Sequence, residues 1–112
     1  MNLIGRYGPG AIEINGRTFT APMILAPGFV QENWIADGNA LDAGALAPIW
    51  ELQARIVLLG AASPVSATKV RELRALLAAR QVALESMDLG AACRTYNVLA
   101  QEDRAVAALL FP

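Results

Sequence analysis

The run from Glu85 to Gln101 holds most of the residues whose types could do chemistry: Glu85, Asp88, Cys93, Arg94, Asn97 and Gln101. Glu85 interrupts an otherwise apolar strand pattern from Val82 to Met87. A carboxylate buried there needs a partner, and Arg94, Arg104 or backbone N–H groups are the candidates; the outcome is either a structural ion pair or a general acid or base of raised pKa. Cys93 would be a thiolate nucleophile if a helix N-terminus and Arg94 lowered its pKa, or a small core residue if buried. The chain has no histidine, so no ordinary base stands ready to activate that thiol, and histidine-based triads and zinc hydrolase sites are excluded. No catalytic residue, metal or cofactor is therefore expected.

These residues need a strand turning into a helix. Apolar residues end at Met87, Asp88 and Gly90 make the turn, and alanines with Tyr96, Val98 and Leu99 continue at helical spacing. Asp88 reads as the N-cap of that helix, the alternative being an anion held by the free N–H groups beside Arg94. At about 100° per residue, Arg94, Asn97 and Gln101 fall in one arc with Cys93 at its edge, either a solvated face or a contact for a partner. Thr95 and Tyr96 lie in the apolar arc as core residues.

Upstream, Arg55-Ile56-Val57-Leu58-Leu59-Gly60 has the pattern of a strand buried on both faces. Ser66 caps a helix to Arg80 with Val70, Leu73 and Leu77 on one stripe. Strand, helix and strand in this order imply a right-handed crossover between parallel neighbours. The loops after Gly60 and Met87 would then leave the same end of the sheet and form a crevice, with Ser63 on one side and Asp88, Cys93 and Arg94 on the other. In the first half, Ala11–Ile14 and Arg17–Thr20 flank Asn15-Gly16, a pair suited to a type I′ hairpin turn. Tyr7-Gly8-Pro9-Gly10 reads as turn material, Met23–Ala26 as a strand, Pro27-Gly28 as an interruption at an edge or bulge, and residues 29–35 as extended again. Asp42 caps a short helix that Pro48 keeps short, and residues 105–111 form a last apolar strand. The fold class is α/β, with a mixed, partly parallel central sheet, helices packed on it and an N-terminal β-hairpin layer, in a single domain spanning 1–112.

Nine Lys and Arg face ten Asp and Glu without a run of either sign, which excludes a nucleic-acid or anionic-membrane footprint. No apolar run approaches the roughly 20 residues of a membrane span, and Met1–Ile4 lacks the regions of a secretory signal, so a cytoplasmic protein that is not an integral membrane protein is expected. The apolar content, at 55%, and the two tryptophans leave self-association open.

The block Met87-Asp88 … Ala91-Ala92-Cys93-Arg94-Thr95-Tyr96-Asn97-Val98-Leu99 … Glu102 … Arg104-Ala105-Val106-Ala107-Ala108-Leu109-Leu110 resembles the signature of a small family of unknown function found in bacteria, archaea and mitochondria. The resemblance extends through Tyr7, Gly10, Ile14-Asn15-Gly16, Pro27, Trp34 and Leu58-Leu59-Gly60. It implies a three-layer α/β domain. The family's mitochondrial relative is an assembly factor for respiratory complex I, the NADH:ubiquinone oxidoreductase, so the resemblance implies a binding or assembly protein with a respiratory or membrane complex as partner. It brings no established catalytic residue. The chain departs from the family at Gly60-Ala61-Ala62, where relatives tend to show Gly-Thr-Gly, at Leu89 in place of Thr, and at Asp103 where Gly is frequent. The first two fall on the crevice loops. The alternative is a small-molecule or anion-binding domain, or a minor enzyme, using the crevice near Ser63, Glu85, Asp88 and Cys93.

Overall fold

The computed structural model describes residues 1–35 and 37–112. Three antiparallel strands open the chain: β1 (Ile4–Gly8), β2 (Ala11–Ile14) and β3 (Arg17–Phe19), in the order β1-β2-β3. Asn15 and Gly16, at φ 52° and 84°, form the β2–β3 turn, because only residues tolerant of positive φ fit a type I′ connection. The turn expected at residues 7–10 is shorter. Tyr7 and Gly8 belong to β1, and Pro9-Gly10 alone turns the chain.

The second sheet has the order β5-β4-β8-β6-β7, built from β4 (Met23–Ala26), β5 (Phe29–Gln31), β6 (Ile56–Ala61), β7 (Ala83–Asp88) and β8 (Val106–Phe111). β6 is parallel to both β7 and β8, and β4 is antiparallel to β5 and β8. Pro27-Gly28 is the two-residue turn of the β4–β5 hairpin, where the missing proline N–H costs no ladder bond. β5 stops after three residues, short of the extended run expected to residue 35. Trp34 instead tucks beside Phe111, with ring centroids 5.9 Å apart, and donates its indole N–H to the Ala45 carbonyl.

β8 is buried along its length, and its residues alternate between two cores. Ala107, Leu109 and Phe111 face α1 (Ala47–Leu52) and α2 (Ala67–Ala78), together with Ile24, Val57, Leu59, Leu73 and Leu77. Val106, Ala108 and Leu110 face α3 (Leu89–Gln101) and, beside it, the first sheet, together with Leu58, Tyr96 and Ile12. This period of two is the pleat expressed as two layers of burial. The architecture is three-layered: helices, mixed sheet, then helix with a small sheet.

Caps set the helix starts. Ser66 Oγ accepts from Lys69 N–H and Asp88 Oδ1 from Ala91 N–H, each satisfying a donor the helix leaves open. Pro48 sits in the first turn of α1, where its absent N–H is not needed. The residues that end the helices, Gln53, Gln81 and Asp103, all take positive φ. After α2 and α3 the chain closes on itself, with Val82 N–H returning to the Leu77 carbonyl and Arg104 N–H to that of Leu99. Gly60 fixes how closely α3 lies on the sheet, since a Cβ there would collide with Ala92 Cβ. No helix among the described residues is long and apolar enough to cross a membrane.

Candidate functional site: the β1 and α3 face

Helix α3 lies against the five-stranded sheet through Leu89, Ala92, Cys93, Tyr96 and Ala100, all buried. Its flank takes β1 through side chains acting on backbone. Asn97 Nδ2 donates to the Ile4 carbonyl at 2.7 Å, and Ile4 N–H donates to Asn97 Oδ1 at 2.9 Å. A side-chain amide thus stands where a neighbouring strand would pair, closing that point of the β1 edge. Tyr96, buried as expected, donates its hydroxyl to the Asn2 carbonyl at 2.8 Å. Asn97 is therefore half-buried and engaged, and the expected Arg94–Asn97–Gln101 face is corrected to exposed Arg94 and Gln101 on either side of a structural amide.

Arg94 reaches across to β1 and donates from Nη1 to Tyr7 Oη at 2.7 Å. That bond, with the nearby Asp88 charge adding a smaller effect, holds the guanidinium pKa above its ordinary value. One turn further along α3, Val98 stands 54% exposed, and Tyr7 is 40% exposed. Tyr7, Arg94 and Val98 make a mixed aromatic, cationic and aliphatic patch, because positions four apart on a helix are neighbours. Gly90 keeps this corner open: a Cβ there would press within 3.1 Å of the Tyr7 ring and 3.2 Å of Arg94 Nη1. Tyr7 was legible only as part of a turn and Val98 as part of an apolar arc; their exposure depends on where β1 docks.

The crevice residues are not brought together. Two separate clefts flank the loop after β6. One, of 250 Å3, is lined by Ala61, Val65, Ser86, Met87 and Asp88; the other, of 440 Å3, by Thr20, Asp37, Ser63 and Phe111. Asp88 lines the first and Ser63 the second, while Glu85 and Cys93 line neither. The Asp88 carboxylate already occupies the helix N-terminus as its cap, 2.8 Å from Ala91 N.

Glu85 is not buried. β7 is an outer strand of the sheet, and Glu85 and Ser86 stand exposed on it. The need for a buried partner therefore disappears: the sequence pattern showed an interruption, but strand order decides what the interruption faces. Cys93 is 1% exposed, and burial pushes its thiol up to about 11 against a smaller lowering by Arg94. At neutral pH it is a protonated core residue. Among the described residues no three His, Cys, Asp or Glu side chains converge as a metal site would require.

The profile of a family described as "Protein of unknown function (DUF498/DUF598)" matches residues 4–111. The chain is 30% identical over 112 aligned positions to the NADH dehydrogenase (ubiquinone) 1 alpha subcomplex assembly factor 3 of Danio rerio, covering 98% of this chain; it spans 64% of the length of that protein. Among solved structures, a Bordetella parapertussis protein superposes with a TM-score of 0.80 at 32% identity, covering 99% of this chain and 95% of the other. A protein described as an outer membrane protein from Bartonella henselae superposes with a TM-score of 0.79 at 31% identity, covering 98% and 93%.

Proposed function

The chain belongs to the DUF498/DUF598 family of proteins of unknown function, and from that premise we infer that it is a non-catalytic, assembly-type protein that holds a protein partner on the face formed by β1 and α3. The observation that carries this reading is the Tyr7–Arg94 pair, joined at 2.7 Å and flanked by exposed Val98. Tyrosine and arginine, with tryptophan, are the residues in which binding energy concentrates at protein interfaces. Here each fixes the other before any partner arrives, so less side-chain entropy is lost on contact. The residues with the most reactive chemistry favour no competing use: Cys93 is buried and protonated, and Glu85 stands on an open edge. A respiratory-complex subunit as the partner is supported by the likeness to the Danio rerio NADH dehydrogenase assembly factor.

Affinity capture of the tagged protein from its host, beside Arg94→Glu and Val98→Asp variants, tests the reading. Respiratory-complex subunits recovered with wild type and lost from both variants are the expected result. Recovery of no reproducible partner, or full retention by both variants, overturns it.

A further inference from the structure

At the opposite end of the sheet, where the three parallel strands begin, a trough of 550 Å3 is lined by Ile49 and Trp50 of α1, Arg80 at the end of α2, and Ala54, Arg55 and Val82. We propose that this trough, walled by Arg55 and Arg80 beside Trp50, binds a small organic anion: a carboxylate or phosphate ester carrying an apolar body. Its volume lies within the range of about 300–1,000 Å3 typical of small-molecule sites.

Charge is the first support. Two arginines line the trough and no acidic residue does, in a chain whose formal net charge is −1. Among the described residues neither Arg55 nor Arg80 has a carboxylate within ion-pair distance; the ion pairs found are Arg17–Glu32 and Lys69–Glu72. A guanidinium group supplies paired N–H donors that match the geometry of a carboxylate or phosphate, and two of them line this one trough.

Placement is the second. The Arg80 guanidinium carbon stands 4.2 Å from the centroid of the Trp50 ring, so the side chain is stacked before a ligand arrives. Arg55 is fixed at its backbone, its N–H donating to the Ala105 carbonyl at 2.8 Å and its carbonyl accepting from Ala83 N–H at 3.0 Å. These bonds tie it between the first residue of β7 and the residue just before β8.

The plain alternative is that Arg80 serves the carbonyl end of α2, where a cation is favoured. The hydrogen bonds argue otherwise. Leu77 O accepts from both Arg80 N–H and Val82 N–H, and Ala78 O from Gln81 N–H, so the backbone closes those carbonyls and the guanidinium is left on the indole. Buried Ile49, Ala54 and Val82 supply an apolar floor, which distinguishes this site from two solvated arginines and selects an anion with an apolar body.

The test is a titration of the 15N-labelled protein with phenyl phosphate, following the Trp50 indole and Arg80 side-chain N–H signals by NMR. Inorganic phosphate and phenol serve as comparison probes. Phenyl phosphate should shift both signals saturably, and Arg55→Ala and Arg80→Ala should each weaken binding at least tenfold. Both side chains are exposed, so the variants should keep the dispersed spectrum of a folded chain, and Arg71→Ala, an exposed α2 charge outside the trough, should bind as wild type does. Inorganic phosphate should bind the same residues more weakly, and phenol should not shift them. Absence of a saturable shift, equal affinity in both trough variants, equal affinity for inorganic phosphate, or the same loss with Arg71→Ala would overturn the assignment. The outcome is independent of the β1 and α3 face.

Discussion

Replacing Asn97 with alanine should lower stability by about 2 kcal/mol. Two neutral hydrogen bonds are lost, at 2.7 and 2.9 Å, each contributing about 1 kcal/mol net. The Ile4 residue that loses them is 5% exposed, so water reaches its orphaned N–H and carbonyl poorly, adding roughly 1 kcal/mol. The better helix propensity of alanine returns about 0.6 kcal/mol. For a chain of this size the midpoint of thermal unfolding should fall by about 8 °C. Urea unfolding measures the loss, and hydrogen exchange at Ile4 locates it, since that amide should lose protection before those of β8. Asn97→Asp sharpens the test: it keeps the acceptor for Ile4 N–H but turns a carboxylate toward the Ile4 carbonyl, so at neutral pH it should be at least as damaging as alanine. A loss below about 0.5 kcal/mol for Asn97→Ala, the scale of an ordinary surface substitution, or Ile4 protection unchanged, would refute the reasoning that this amide holds β1 to α3.

Alkaline pH should destabilise the protein through Cys93. Burial pushes its folded thiol up to about 11 from an ordinary 9.0, so above pH 9 the unfolded chain releases its proton first and stability falls as pH rises. By pH 11 the loss from this group should reach about 2.3 kcal/mol. Cys93→Ala should flatten the fall between pH 9 and 11 in urea unfolding, and an unchanged slope would show that the thiol is not the source. Tyr96, whose pKa burial also raises, acts in the same direction and remains in both proteins. Glu85→Val should change unfolding free energy by less than about 0.5 kcal/mol, yet produce concentration-dependent association in sedimentation, because a charge on an outer strand blocks strand pairing between copies. A variant that sediments as wild type at every concentration would show that this edge is protected by other means.

Much of the framework was readable because its signals are local. Asn15-Gly16 marked a hairpin, Ser66 and Asp88 marked helix starts, the apolar run after Arg55 marked a strand buried on both faces, and the run after Arg104 marked a last apolar strand. β1 was hidden because Gly8, Pro9 and Gly10 dominate its end, while Ile4 and Tyr7 are held by residues on α3 more than eighty positions away. Glu85 was misjudged for the same reason: whether a strand lies at the centre or the edge is a property of sheet order. The candidate site divides likewise. Arg94 and Gln101 could be placed on the outer arc of α3 from spacing alone, but the engagement of Asn97 and the exposure of Tyr7 come from docking β1. The arginine trough joins the ends of two helices and the starts of strands, which no single window of sequence contains.

The position of β8 bears on how the chain reaches its fold. It lies between β4 and β6, yet follows every other element in sequence. Until it arrives, the β4–β5 hairpin and the β6–α2–β7 unit share no strand and expose the edges that β8 will fill. Closing the sheet then joins residues 23–25 to 108–110, a long loop whose entropy is lost before the contacts repay it. The two halves are thus set to fold as one late, cooperative event rather than in sequence, and the interval before it is when the chain is most open to pairing with its neighbours.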